Sequence, residues 1–370
     1  MRKSVLTRLS AGIAIAACLP FASLAQSSGD AAATQAPKGK YTVLPPRLYS
    51  ELVMPRASSL SLQTWNGSYS YNGTNYTYNM VGAAPSTNTS ASIPVYIIPV
   101  KIVVGRSGRQ STFDPAHVLS NGNSVTQNTV DSPLFTSSID YKLGSIDVGT
   151  TQYIDAYQRA NFWGSVSSHT NSHLRLGNPT VLPEKTLTVP TNYGKTGAPF
   201  GFTAGLVDIN WFDAQLPNII AAEGIQPNAF PIFLTYDVYL TQGGSCCIGG
   251  YHSAEGSSSN PQAYAHATYI DHSGTFAQDV SALSHEIGEW ADDPLVANPN
   301  GNQTPCGILE NGDPLENTAN YGDYAYTQNG FTYHLQDLAM LPYFGAPAST
   351  SANGWLSFHH ASLGVCSNGS

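Results

Sequence analysis

Apolar positions along the chain follow two spacings, and each predicts its own element type. Residues 62–80 carry aromatics punctuated by the turn segments Trp65-Asn66-Gly67-Ser68 and Tyr71-Asn72-Gly73-Thr74, which predicts a hairpin or meander. A β-branched run over residues 93–104 reads as a strand, and Pro94 and Pro99 place it near a sheet edge or bend. From Thr150 to Trp163 the spacing becomes helical, with Tyr153, Ile154, Tyr157, Ala160 and Trp163 on one side, as a buried backing helix requires. Strands are expected at 185–189, 206–211, 230–240 and 266–270, a short helix at about 212–222, and a Gly/Ser/Cys loop over 243–260.

The next pattern is the most informative. Thr275 to Gln278 has capping-box form, and Phe276, Val280, Leu283, Ile287 and Trp290 alternate spacings of four and three up to Asp292-Asp293-Pro294. This predicts an amphipathic helix whose apolar stripe lies opposite His285, with Glu286 and Glu289 on the His285 side. No repeat period is visible. The expected fold class is α+β: a β-rich N-terminal part with a mixed sheet, a backing helix and this second helix, which the motif below makes zincin-like. One two-lobed domain over 41–370 should carry it, with a metal-site region at about 245–340.

Composition changes the picture in three ways. Charged residues are 11% of the 370, against about 25% in an average soluble domain, as in extracellular proteins. Arg2, Lys3 and Arg8 precede an apolar run over 11–24 that closes on Ser23-Leu24-Ala25, so residues 1–25 read as a signal peptide and 26–40 as a disordered leader. Secretion, extracellular or periplasmic, is the expected localisation. No later run approaches 18 apolar residues, which argues against membrane insertion. The whole chain has net charge −9, yet residues 196–370 hold sixteen Asp and Glu and no Lys or Arg. Such a half-chain repels nucleic acid and attracts cations.

Four cysteines follow the signal segment: Cys246, Cys247, Cys306 and Cys366. Export favours two disulfides, and a bridge between neighbours strains the intervening peptide. Cys306 and Cys366 are therefore each expected to join one of the adjacent pair. There is no Cys-x-x-Cys, which argues against zinc on these thiols.

His285-Glu286-Ile287-Gly288-Glu289 places two donors at i and i+4 to grip one metal ion, with Glu286 between them as the base for a water. Four of the chain's eight glutamates (Glu286, Glu289, Glu310, Glu316) crowd into this stretch. Glu310 is the candidate third ligand, in a loop that a Cys306 disulfide would fix, and Asp313 and Asp293 are candidates to orient the ligands from behind. Asp292 lies nearly two turns from His285, about 10 Å by helical rise, too far to chelate the same ion. One His and two Glu make a hard donor set, so Zn²⁺, Mn²⁺ and Ca²⁺ all remain open. With no Arg nearby in sequence, an oxyanion would be met by the metal plus His or Tyr, for which His252, His334, Tyr321, Tyr324 and Tyr326 are candidates, His252 and Tyr324 foremost. His359 and His360 are expected to be exposed.

Residues 246–313, about a fifth of the chain, resemble the plant exordium (phosphate-induced) family and its bacterial secreted relatives. The resemblance rests on the Cys-x-x-x-x-His spacing from Cys247 to His252, on Ser284-His285-Glu286-Ile287-Gly288-Glu289, and on Asp293-Pro294. It implies secretion and association with a cell wall or matrix. A weaker resemblance is to the gluzincin metallopeptidases, whose third ligand is a Glu some twenty residues beyond the helix motif, as Glu310 is beyond Glu289. The chain departs from them in having Glu289 for the second His, and in placing Glu310 beside Gly312 and Pro314 rather than on an evident helix. The expectation is a zincin-like metallohydrolase, most plausibly a peptidase, with an extracellular polymer, peptide or protein as substrate. The rival is a non-catalytic wall- or matrix-associated protein with a structural or empty site, and a third reading uses Glu286 and Glu310 as the acid/base pair of a glycosidase.

Overall fold

Side chains along Phe230–Tyr236 alternate between two cores: Phe230, Ile232 and Leu234 enter one, Phe233 the other. A strand with apolar residues on both faces belongs inside a covered sheet, and the computed structural model shows one. It describes residues 39–49, 60–71, 73–144, 146–296, 303–304, 307–341, 344–346 and 357–359, all within the compact unit Ala36–Ser370. The expected signal segment, nearly all of the expected leader, Cys306 and Cys366 lie outside the described residues.

The main strands are β1 (Lys40–Val43), β2 (Val95–Arg106), β3 (Ala204–Asp208), β4 (Phe230–Tyr236), β5 (Val238–Gln242), β6 (Ser245–Ser257) and β7 (Asn260–Tyr269). Across the sheet they run β2, β4, β7, β6, β5, β3. The first three are mutually parallel, β6 is antiparallel to both neighbours, and β5 and β3 are again parallel. β1 lies parallel along β6. Helices α1 (Tyr153–Asn161) and α2 (Ser281–Asp292) pack with one core; the other core takes Ile209, Phe212, Leu216 and Ile220 from two short helices. Mixed sheet and few helices make this an α+β protein. No helix among the described residues is long and apolar enough to cross a membrane.

Several elements differ from expectation for identifiable reasons. The predicted loop over 243–260 is mostly β6, the longest strand described. Its glycines serve close packing rather than turning: a Cβ on Gly249 would lie 2.9 Å from Phe276 and one on Gly250 would lie 2.6 Å from Glu286 Oε1. β2 is interior, although Pro99 lies within it. Ile97 and Val103 carbonyls accept from Leu182 and Val189, so the odd-numbered residues face that side, and Pro99 falls between the short partner strands Thr180–Val181 and Lys185–Thr188. Its missing N–H therefore meets a gap in the ladder. The 230–240 run divides at Asp237, where φ is 50°. The aromatic hairpin turns at Gly73 as expected, while Trp65 to Ser68 lies within its first strand, Thr64–Tyr71.

α2 starts at Ser281, later than its apolar spacing predicts. Ala277 and Asp279 take φ of 62° and 42°, and the capping-box side chains bond elsewhere: Thr275 Oγ1 donates to the His272 carbonyl and Gln278 Oε1 accepts from Gly274 N–H. The expected disulfide pairing also changes. Cys246 is bridged to Cys247. Thr241 of β5 pairs with Cys246 while the preceding Leu240 pairs with Ile248, so Cys247 is the extra residue of a bulge. That bulge breaks the alternation which would send neighbouring side chains to opposite faces.

Candidate metal centre

α2 is buried on every side, which the amphipathic pattern does not anticipate. Leu283, Ile287, Trp290 and Ala291 enter the core, where Trp290 stacks on Phe230 with ring centroids 3.9 Å apart. Gly288 lets Leu338 close on the helix, since a Cβ there would lie 2.3 Å from Leu338 Cδ1. The other side is covered by β6, the segment after residue 307 and β1, so His285, Glu286 and Glu289 are at most 1% exposed.

Each histidine of the site has its tautomer set by a carbonyl oxygen. His285 Nδ1 donates to Gln336 Oε1, and the amide of Gln336 is oriented by donating from Nε2 to the Gly312 and Tyr321 carbonyls at 3.3 Å. His285 Nε2 is left as a lone pair, 2.9 Å from Glu289 Oε1 and 3.7 Å from Asp313 Oδ1, without a hydrogen-bond partner. His252, on β6, donates from Nε2 to the Asp293 carbonyl at 3.0 Å. Its Nδ1 lone pair faces Glu286 Oε2 at 3.3 Å and Glu289 Oε2 at 4.0 Å.

Glu310 completes the cluster. It is buried, neither of its carboxylate oxygens has a hydrogen-bond partner, and it faces Glu289, an arrangement of acceptors that only a proton or a cation can join. Glu286 Oε1 has no partner either. His252, Glu289 and Glu310 offer donor atoms within 4.8 Å of one another, a group that could hold a metal ion; His285, Glu289 and Asp313 form a second such group.

The electrostatics point the same way. Burial pushes Glu286, Glu289 and Glu310 well above the usual carboxylate range, with the neighbouring carboxylates adding to it, and it raises Asp313 and takes Glu316 to about 8. Burial also depresses His252 to about 3 and His285 to about 4. Carboxyl groups crowded out of water in this way repel one another when ionised, and a divalent cation beside neutral imidazoles would relieve that repulsion. Lys40 of β1 is a basic side chain whose charge reaches Asp313 and Glu316.

The predicted residues are thus regrouped. Glu289 is central, but Glu310 joins it with His252 while His285 joins it with Asp313. His252, expected to meet an oxyanion, presents a ligand-type lone pair, because the β6 register and the Asp293 carbonyl turn its Nδ1 inward. Asp293 acts through its backbone, and Asp313 approaches His285 rather than backing Glu310. Tyr324 contacts Tyr141 at 3.3 Å and stacks on His359, away from the cluster; Tyr326 donates to the Ser138 carbonyl, and His334 pairs with Asp279 at 2.6 Å. Asp292 is held by Asn311 at 3.0 Å.

Sequence reasoning missed Gln336 and Tyr41. Tyr41 packs its ring on His285 at a 34° tilt with centroids 3.9 Å apart, bonds Ser281 Oγ through its hydroxyl at 2.9 Å, and donates its N–H to Glu316 Oε1 at 3.1 Å. Both come from segments distant in the chain, and no local pattern marks them. No protein-family model, curated protein or solved structure matches the chain.

Proposed function

We propose that this chain is a secreted, zincin-like metallohydrolase, a peptidase acting on an extracellular peptide or protein. The observation that supports it is the convergence of two oriented imidazole lone pairs with Glu289 and with Glu310, neither of whose carboxylate oxygens has a hydrogen-bond partner. His252, Glu289 and Glu310 would hold the ion, with Zn²⁺ favoured and Mn²⁺ or Ca²⁺ accommodated by the oxygen-rich set. A bound divalent cation supplies positive charge that acidifies water and polarises a carbonyl. Glu286 is the group to take the proton: its pKa is raised by burial and its Oε1 has no hydrogen-bond partner. Asp293, through its carbonyl, and Gln336 fix the two rings.

One observation favours the non-catalytic alternative. The cluster is buried beneath Tyr41, which suits a structural metal in a wall- or matrix-associated protein of exordium type. Purified full chain loaded with Zn²⁺ and given unfolded casein or a cell-wall preparation separates the two. Chelator-sensitive turnover is expected; stoichiometric metal without turnover on any polymer transfers the conclusion to the structural site.

A further inference from the structure

Glu289 turns its two oxygens in different directions. Oε1 lies 2.9 Å from His285 Nε2, while Oε2 is 4.0 Å from His252 Nδ1. Each direction has its own imidazole and its own further carboxylate, Asp313 in the first and Glu310 in the second. We propose that the centre holds two divalent cations bridged by the Glu289 carboxylate, the second ion on His285 Nε2, Glu289 Oε1 and Asp313 Oδ1. The inference rests on the metal-centre reading above, because both ions share Glu289.

The spacing of the donors supports a real second position. Bonds of about 2.0–2.1 Å in a tetrahedron put ligand atoms about 3.3 Å apart. The separations from His285 Nε2 to Glu289 Oε1 and Asp313 Oδ1, 2.9 and 3.7 Å, bracket that value. In the His252 group Nδ1 lies 4.0 Å from Glu289 Oε2, with all three donor atoms within 4.8 Å of one another. A carboxylate bridge of this kind sets two metals roughly 3.5–4 Å apart.

The buried lone pair on His285 is the independent sign of a ligand. Its Nδ1 proton is committed to Gln336, so Nε2 is a buried lone pair without a hydrogen-bond partner, 2.9 Å from Glu289 Oε1 and 3.7 Å from Asp313 Oδ1. One ion in the His252 group leaves that contact unresolved.

Equilibrium dialysis of metal-stripped full chain against Zn²⁺, read by elemental analysis, tests this. Wild type should saturate at two equivalents and Asp313→Asn at one. In the Co²⁺-loaded protein, carboxylate-bridged high-spin ions should couple magnetically and lose most of the isolated-ion resonance, which Asp313→Asn restores. Saturation of wild type at one equivalent, or two equivalents retained by folded Asp313→Asn, overturns the second site. One equivalent together with chelator-sensitive turnover leaves the hydrolase reading standing, whereas no bound metal removes both. Should Asp313→Asn fail to fold, the wild-type stoichiometry and its cobalt resonance decide the question.

Discussion

His285 Nε2 and Glu289 Oε1 sit one helical turn apart and 2.9 Å from each other, with no proton available from the imidazole. Gln336 creates this situation by accepting the Nδ1 proton, so it sets both the ring orientation and which nitrogen faces the carboxylates. Outer partners of metal-bound histidines are typically worth 10–100-fold in affinity. Gln336→Ala should therefore weaken metal binding by about that factor while the fold persists. Competition with a chromophoric chelator measures it, and affinity unchanged within about twofold would mean that His285 is not a ligand.

Glu286 and Glu289 differ in role although both are buried carboxylates on α2. Glu286→Gln keeps shape while removing the base, so it should retain metal and lose at least about 100-fold in rate. Glu289→Ala should lose the metal itself, since both donor groups include it. Steady-state rates beside metal content separate the two effects. A Glu286→Gln variant as active as wild type would exclude a base role.

What could be read in advance follows the range of the interactions. The backing helix and the His285/Glu286/Glu289 face were visible because helical spacing is local, and Glu310 because carboxylates cluster near it in the chain. The identity of its partner was not, since His252 meets Glu289 only through the register of β6 against its neighbours. Glycine misled for a physical reason: Gly249 and Gly250 are small because Phe276 and Glu286 press on them, and a sequence cannot distinguish that from a turn. The start of α2 was misplaced because Phe276 keeps the apolar spacing while the chain around it takes positive φ at Ala277 and Asp279. Tyr41 and Gln336, supplied by a distant strand and hairpin, carry no local signal at all.

Acidity should act on the metal-free protein in an unusual direction. Asp292, Glu316 and Asp323 are each raised by burial to about 8, and Glu286, Glu289 and Glu310 are raised well above the usual range. An acid whose folded pKa exceeds its unfolded value binds more protons folded than unfolded between the two, so stability falls as pH rises from about 4 to 8. His252, His266 and His285, depressed to about 3, 3 and 4, work oppositely up to about 6.5, but they are three against six carboxyls. The chelated protein should melt at a lower temperature at pH 8 than at pH 5, and divalent cation should recover the difference. Scanning calorimetry at both values tests this; equal or higher Tm at pH 8 without metal would contradict it.

Tyr41 supplies the last test, because its ring covers one side of His285. Its ring lies on the imidazole, and three anchors hold it: Ser281 Oγ, Glu316 Oε1, and the pairing of β1 with β6, where Thr42 lies opposite Tyr251. If metal leaves past this strand, the step is a local opening whose free energy depends on those contacts. Tyr41→Ala removes the ring and the hydroxyl bond and should hand the metal to a chelator at least about tenfold faster than wild type. Tyr41→Phe keeps the ring and should stay within about threefold. The comparison isolates cover from hydrogen bond, and stripping rates read by stopped-flow absorbance decide it. If Tyr41→Ala exchanges metal no faster than wild type, the route to the centre lies elsewhere and β1 is only a structural strand.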